Sequence, residues 1–243
     1  MQILDWWWQD IPVISSTNDE ALRLSSNPPS SKYIITAETQ TLGRGRRGRV
    51  WDSLNGNLFA SFALKNSDNL LNFLPFIMSL SLFDVITKYI PSTDIILKWP
   101  NDVLVRGHKI SGILLEKGDN NYIIAGIGVN IIASPQNLAS SLYPAISLAE
   151  CGIIATREDI LRAYITCLNS NLYDFYNNGS KFIIEKWLNN AHPIGDVISV
   201  KLEHDIKIGV FAGLDEGGAL LLEDKGHIIK IYAGDVFIND KKD

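Results

Sequence analysis

The sequence predicts an α+β protein: a mixed, mainly antiparallel central sheet flanked by helices, followed by a small C-terminal β-barrel. Three observations carry this. Between Ile95 and Ile132 short turns separate apolar strands, which implies antiparallel pairing. Two long segments, roughly Leu71 to Tyr89 and the stretch after Thr156, read as helices. After His192-Pro193 the style changes to short strands between glycine-rich and charged turns, about fifty residues of them. The 243 residues therefore divide into a large domain, 1–191, and a small one, 192–243.

In chain order, Trp6 to Ile14 reads as a first strand and turn, with Trp6, Trp7 and Trp8 as packing residues. In Ser15-Ser16-Thr17-Asn18-Asp19-Glu20, Thr17 and Glu20 have capping-box spacing. Ser16, Thr17 and Asn18 are either a well-capped helix start or polar groups offered to a ligand at its positive end; the residues leave both open. Tyr33 to Glu38 is strand-like and leads through Gln40 into Gly43-Arg44-Gly45-Arg46-Arg47-Gly48-Arg49-Val50-Trp51. Leu58 to Leu64 is a buried strand. The apolar run from Leu70 to Ile90 is broken by Asn72, Pro75, Asp84 and Lys88, so it reads as a buried helix, not a membrane span.

Ile95 to Trp99 is a strand stopped by Pro100, and Val103 to Val105 turns at Arg106-Gly107 into Lys109 to Glu116. Asn120-Asn121 turns into Tyr122 to Ile132. Period-two alternation places Lys109 and Ser111 on one face, and Gly126, Gly128 and Asn130 together. Glycines on a strand face leave room for a ligand or for a closely packed helix. Ser147 to Cys151 is a short helix. Thr156 caps a longer one with Ile160, Leu161, Tyr164, Leu168, Leu172 and Phe175 at helical spacing, and a final helix runs near Phe182 to Trp187.

The chemistry concentrates in the arginine loop. Four arginines among three glycines, in a chain of net charge −5, repel one another unless an anion lies between them. The loop is therefore expected to be mobile and anion-seeking, open without a ligand and ordered over one. Gly43, Gly45 and Gly48 satisfy GxGxxG, but no helix follows and no Gly-Lys-Ser/Thr appears, so neither dinucleotide fold nor P-loop is indicated. His108, His192, His204 and His227 are scattered without metal spacing, and Cys151 and Cys167 lack redox spacing. A reducing cytoplasm fits. Arg44, Arg46, Arg47, Arg49, Lys98 and Lys109 form a cationic set suited to phosphate chemistry by positioning and charge neutralisation. The acidic balance argues against general nucleic-acid binding.

The ordered set G-R-G-R-R-G-R-V-W, K-W-P-N-D at Lys98 to Asp102, K-I-S-G-I-L-L-E at Lys109 to Glu116, and G-I-G-V-N at Gly126 to Asn130, preceded by S-S-T-N, resembles the bacterial biotin-protein ligases. The resemblance runs from about Trp8 to the C-terminus. It implies a catalytic domain related to class II aminoacyl-tRNA synthetases and an SH3-like barrel. It also implies two reactions, formation of biotinyl-5′-AMP from biotin and ATP, then transfer of biotin to a lysine of a biotin carboxyl carrier protein. By resemblance, Ser16, Thr17, Asn18, Gln40, Gly43, Arg44, Gly45, Arg46, Lys109, Gly112, Gly126 and Gly128 bind biotin. Arg44, Arg46, Arg49, Trp51, Lys98, Asn101, Lys109 and Asn130 meet ATP, with Arg46 and Lys109 catalytic. Magnesium is expected with ATP; Asp102 is either a ligand for it or a cap on the turn after Pro100. Fifteen residues precede Ser16, too few for the DNA-binding domain of bifunctional members, so a monofunctional ligase without DNA binding is expected. A homodimer is left open. The rivals are a lipoate- or octanoate-transferring relative of the same fold and an RNA-binding module using the basic loop.

Overall fold

The computed structural model describes residues 2–136 and 143–238. The large part is an eight-stranded sheet in the order β1-β2-β3-β4-β8-β7-β6-β5. Its strands are β1 (Gln2–Ile3), β2 (Trp6–Ile14), β3 (Lys32–Gln40), β4 (Leu58–Lys65), β5 (Ile95–Lys98), β6 (Asp102–Val105), β7 (His108–Lys117) and β8 (Tyr122–Val129). Only β2 and β3 pair in parallel; the other neighbours are antiparallel, so the sheet is mixed and mainly antiparallel as predicted.

The two faces of this sheet are covered differently. Helix α2 (Leu70–Ile86) is apolar almost all round because it packs against the sheet and against α3 (Arg157–Leu188). Helix α1 (Thr17–Ser25) lies over β3, β4 and β8, where Ala21, Tyr33, Ile35, Ala63, Tyr122 and Ile124 form a small core of their own. Among the described residues no helix is long and apolar enough to cross a membrane.

Thr156 and Asp159 form a complete capping box at the start of α3. The backbone leaves the helix at Gly179 (φ 79°, ψ 174°), which separates the two helices read from the sequence. The helix expected from Ser147 shrinks to a 3-10 turn, Ala149–Cys151. The box expected at Thr17 and Glu20 does not form. Ser16 takes the N-cap position without a side-chain bond, and Glu20 pairs with Arg23. Gln40 supplies the missing acceptor from β3: its Oε1 receives the Thr17 backbone N–H at 2.9 Å.

One irregularity changes a face assignment. Val103 lies opposite Ser111 but Leu104 lies opposite Lys109, so Ile110 is an extra residue in β7. The bulge breaks the period of two. Lys109 therefore shares a face with Gly112, not with Ser111, whose side chain is fully buried and without a hydrogen-bond partner.

The C-terminal part is a five-stranded antiparallel sheet in the order β12-β11-β10-β9-β13. Its strands are β9 (Val197–Lys201), β10 (Ile206–Leu214), β11 (Leu220–Asp224), β12 (His227–Ile231) and β13 (Asp235–Ile238). The apolar core runs without a break from the main sheet into this module through Ile198, Val200, Phe211, Leu220, Leu222 and Val236. The Trp99 indole N–H donates to the Gly218 carbonyl at 3.2 Å, which fixes the module over the β5–β6 turn.

Candidate active site

The site lies on the α1 face of the sheet, and its floor is built from glycine. Strand register aligns Phe59, Gly128, Gly112 and Asp102 in one row across β4, β8, β7 and β6. A Cβ at Gly128 would overlap the Trp51 indole, and one at Gly126 would overlap the Asn18 carboxamide. Both readings of these glycines are thus realised. Gly126 admits a close helix, and Gly128 with Gly112 gives Trp51 a flat bed.

Above this floor is an open cavity of about 1110 Å³, mouth included. Ser16, Thr17, Asn18 and Gln40 line it near Gly126, while Trp51, Asn101, Lys109 and Asn130 line it near Gly128 and Gly112. Arg44, Gly45, Arg46 and Arg49 cover it. Two residues expected in the site are not on its wall. Gly43 stays at the loop base, where its carbonyl accepts the Trp51 N–H at 3.0 Å. Lys98 is 2% exposed behind Asp102; its ammonium donates to the Val236 carbonyl at 3.3 Å and stands over the Tyr143 ring.

The arginine segment is a small closed hairpin. The Gly45 N–H reaches the Arg49 carbonyl at 2.7 Å, and Arg44 bridges to Val50. The reversal is a single 3-10 turn, Arg46–Gly48, with Arg47 and Gly48 at φ 56° and 71°. No α-helix opens from the GxGxxG spacing, as read.

The anion that the loop's charge calls for is supplied in part by the protein itself. Acidic side chains of the protein already lie between the arginines. Arg44 binds Asp19 at 2.6 Å and Glu116 at 3.1 Å. Arg46, Arg47 and Arg49 all converge on Asp235 of β13, at 3.8 Å for Arg46 and 3.2 Å for Arg47, with Arg49 hydrogen-bonded to it. Arg46 also donates to Asn101 Oδ1 at 3.0 Å. Burial lowers the pKa of the Arg46 guanidinium from its ordinary value, against the attraction of Asp235 and Asp102. Sequence reasoning missed Asp235, Asp19 and Glu116 as parts of the site. Asp235 is one of many acids in the second module, nearly two hundred residues from its partners.

Asp102 is neither of the two things considered for it. Its carboxylate bridges Lys109 at 2.6 Å and Lys98 at 3.0 Å. Burial pushes its pKa up, but the two ammonium groups outweigh this and hold it well below the usual carboxylate range. Both oxygens are thereby committed to cations, so Asp102 does not fit a magnesium ligand. Among the described residues no group of three or more His, Cys, Asp or Glu side chains could hold a metal.

Lys109 is thus held at the wall by Asp102, with its ammonium 5.6 Å from the Trp51 ring centroid. An anion entering beneath the loop would meet Lys109 and Arg46 together.

Comparison with known proteins agrees with this geometry. Residues 11–130 match the biotin/lipoate A/B protein ligase family, and residues 194–238 match the biotin protein ligase C-terminal domain. A biotin–[acetyl-CoA-carboxylase] ligase of Paracoccus denitrificans is 32% identical over 232 residues, covering 91% of this chain and 96% of that protein. A bifunctional ligase/repressor of Bacillus subtilis is 31% identical, covering 92% of this chain and 71% of that protein. The structure of biotin protein ligase from Aquifex aeolicus in complex with biotin and ATP is similar with a TM-score of 0.81 and 28% identity, covering 96% of this chain and 98% of that one.

Proposed function

The chain belongs to the biotin protein ligase family, and from that premise we propose how its residues divide the work. It is an ATP-dependent ligase that activates biotin to biotinyl-5′-AMP and transfers biotin to a lysine of a carboxyl carrier protein. The observation that carries the assignment of roles is the pair Lys109–Asp102 at 2.6 Å beneath a closed arginine loop.

In the first reaction the biotin carboxylate attacks the α-phosphorus of ATP, a C–O–P link forms, and pyrophosphate leaves with the electron pair of the broken P–O bond. Carboxylate and phosphate repel, so cations at the reacting oxygens lower the barrier where charge builds up. Lys109 and Arg46 are the groups placed for this. Asp102 orients Lys109 through their ion pair. Ser16, Thr17 and Gln40 take the biotin head group, and Trp51 on its glycine bed takes the adenine, with Asn101 and Asn130 beside it. The loop excludes water from the mixed anhydride, which would otherwise hydrolyse. In the second reaction the carrier lysine attacks the activated carbonyl and AMP leaves. Magnesium arrives with the nucleotide, and no step here is assigned to it.

Roles are assigned differently for three residues named from the sequence. Lys98 supports Asp102 from behind and does not meet ATP. Gly43 shapes the loop base. Asn18 spends both ends of its carboxamide on the protein. The net charge of −5 and the two unpaired cysteines suit a cytoplasmic enzyme acting on a protein carrier, not on DNA.

Pyrophosphate exchange into ATP tests the reading. Exchange should require biotin and not run with lipoate alone. Lys109→Ala should slow single-turnover adenylate formation by at least about a hundredfold, the loss of one preorganised charge at a developing oxyanion. Unchanged rates would remove Lys109 from its role.

A further inference from the structure

Glu116 lies outside the cavity wall, yet it is connected to it through a chain of side chains each with one proton arrangement. Its Oε2 accepts from the Asn18 carboxamide Nδ2 at 2.6 Å. Asn18 is buried over Gly126, and its Oδ1 lies 2.5 Å from the Ser61 hydroxyl. Ser61, fully buried, is also 2.7 Å from the Thr17 hydroxyl, and Thr17 lines the cavity.

Proton counting orders this chain. A carboxylate only accepts, so Asn18 must turn its NH₂ toward Glu116 and its carbonyl toward Ser61. Ser61 lies within donating reach of two oxygens but has one proton to give. Asn18 Oδ1, the nearer, cannot donate and therefore takes it. The Ser61–Thr17 contact then needs the Thr17 proton, since two facing lone pairs would repel. Thr17 Oγ1 is left with lone pairs toward the cavity. Gln40 Oε1, which also accepts the Thr17 backbone N–H, is the more distant alternative for that hydroxyl proton, at 3.1 Å against 2.7 Å for Ser61.

We propose that Glu116 is a positioning residue that fixes the proton order Thr17→Ser61→Asn18→Glu116 and so makes Thr17 an acceptor in the head-group subsite, suited to the N–H groups of the biotin ureido ring. This rests on the assignment of biotin to this cavity. With a glutamine at 116 the side chain can donate, Asn18 can reverse, Ser61 is released to donate to Thr17, and Thr17 turns a proton toward the ligand's own N–H. Glu116 also binds Arg44, so the test must separate the two routes.

Calorimetric biotin binding without ATP does so in a double-mutant cycle with Ser61→Ala, which cuts the chain and leaves Arg44 untouched. Glu116→Gln should raise the biotin Kd about tenfold in the wild-type background, the scale of one buried hydrogen bond replaced by a repulsive contact. In the Ser61→Ala background the same change should cost at least threefold less. N-methylated biotin, lacking one ureido N–H, should lose less affinity than biotin on Glu116→Gln. Equal factors in the two backgrounds, or unchanged biotin binding by Glu116→Gln, would overturn the proposal. Failure of the wild-type protein to bind biotin at all would instead overturn the assignment of the cavity. Melting temperatures of the three variants establish that each is folded.

Discussion

Asp235 is the shared counter-ion of three guanidinium groups, and its neutralisation has a calculable effect. At the Arg47 distance of 3.2 Å and an effective dielectric constant of about 20, one unit pair is worth roughly 5 kcal/mol. The three arginine side chains keep 23%, 34% and 31% of their surface, so water and salt offset much of this. A net loss of about 2–3 kcal/mol from the closed loop in Asp235→Asn is the appropriate scale. The hairpin relieves the repulsion by opening, so the cost falls on loop closure and not on global unfolding. That amount raises the open population roughly 30- to 150-fold. Trypsin cleaves after arginine, and when reclosing is fast its rate follows the open population. Cleavage between Arg44 and Arg49 should therefore accelerate by that factor at low salt, with melting changed little. Asp235→Glu should restore much of the protection. Cleavage within twofold of wild type, in a variant that melts normally, would refute the view that Asp235 holds the loop.

Other outcomes follow from the same geometry. Gly128→Ala places a methyl group where the Trp51 indole lies, and overpacking of about 1–3 kcal/mol should weaken ATP binding roughly 5- to 150-fold while biotin binding without ATP changes less, as calorimetry would show. Arg46→Gly should leave the fold intact but speed release of the adenylate about 10- to 100-fold, the worth of a charged hydrogen bond, measured by dissociation of labelled biotinyl-5′-AMP. His192 is buried against Phe211, and burial, then the charge of Lys98, pushes its pKa down from 6.5 to about 4. The unfolded chain then binds the extra proton between these values, so stability falls as pH falls through this window. Urea unfolding should show a loss of about 2 kcal/mol from pH 7 to pH 5 that His192→Leu removes.

Local chemistry made much of this molecule readable. The turns at Arg106-Gly107 and Asn120-Asn121, the Thr156 cap and the alternation of Gly126 and Gly128 each act over a few residues, and each appears as read. What escaped was non-local or irregular. The Ile110 bulge costs one residue of register and leaves no mark in an apolar run. Asp235, Asp19 and Glu116 look like ordinary surface acids until the fold brings arginines to them. The loop's charge count, taken alone, leaves out those acids, which offset part of the repulsion among its arginines. Lys98 is the opposite case: a lysine in a site motif, it lies off the cavity wall against a buried carboxylate, an anion that the motif itself supplies.

The two contacts that β13 makes with the site come from adjacent residues pointing opposite ways: the Asp235 carboxylate meets the arginines, and the Val236 carbonyl meets Lys98 while its side chain is buried. In a strand, a slip of one position exchanges the two faces. If Val236 took the place of Asp235 against β9, a valine would face three guanidinium groups and a carboxylate would enter the core. The pairing register of one short strand is therefore a catalytic parameter. Adding or removing a single residue in the turn at Tyr232 to Gly234 should be far more damaging than changing what that turn contains.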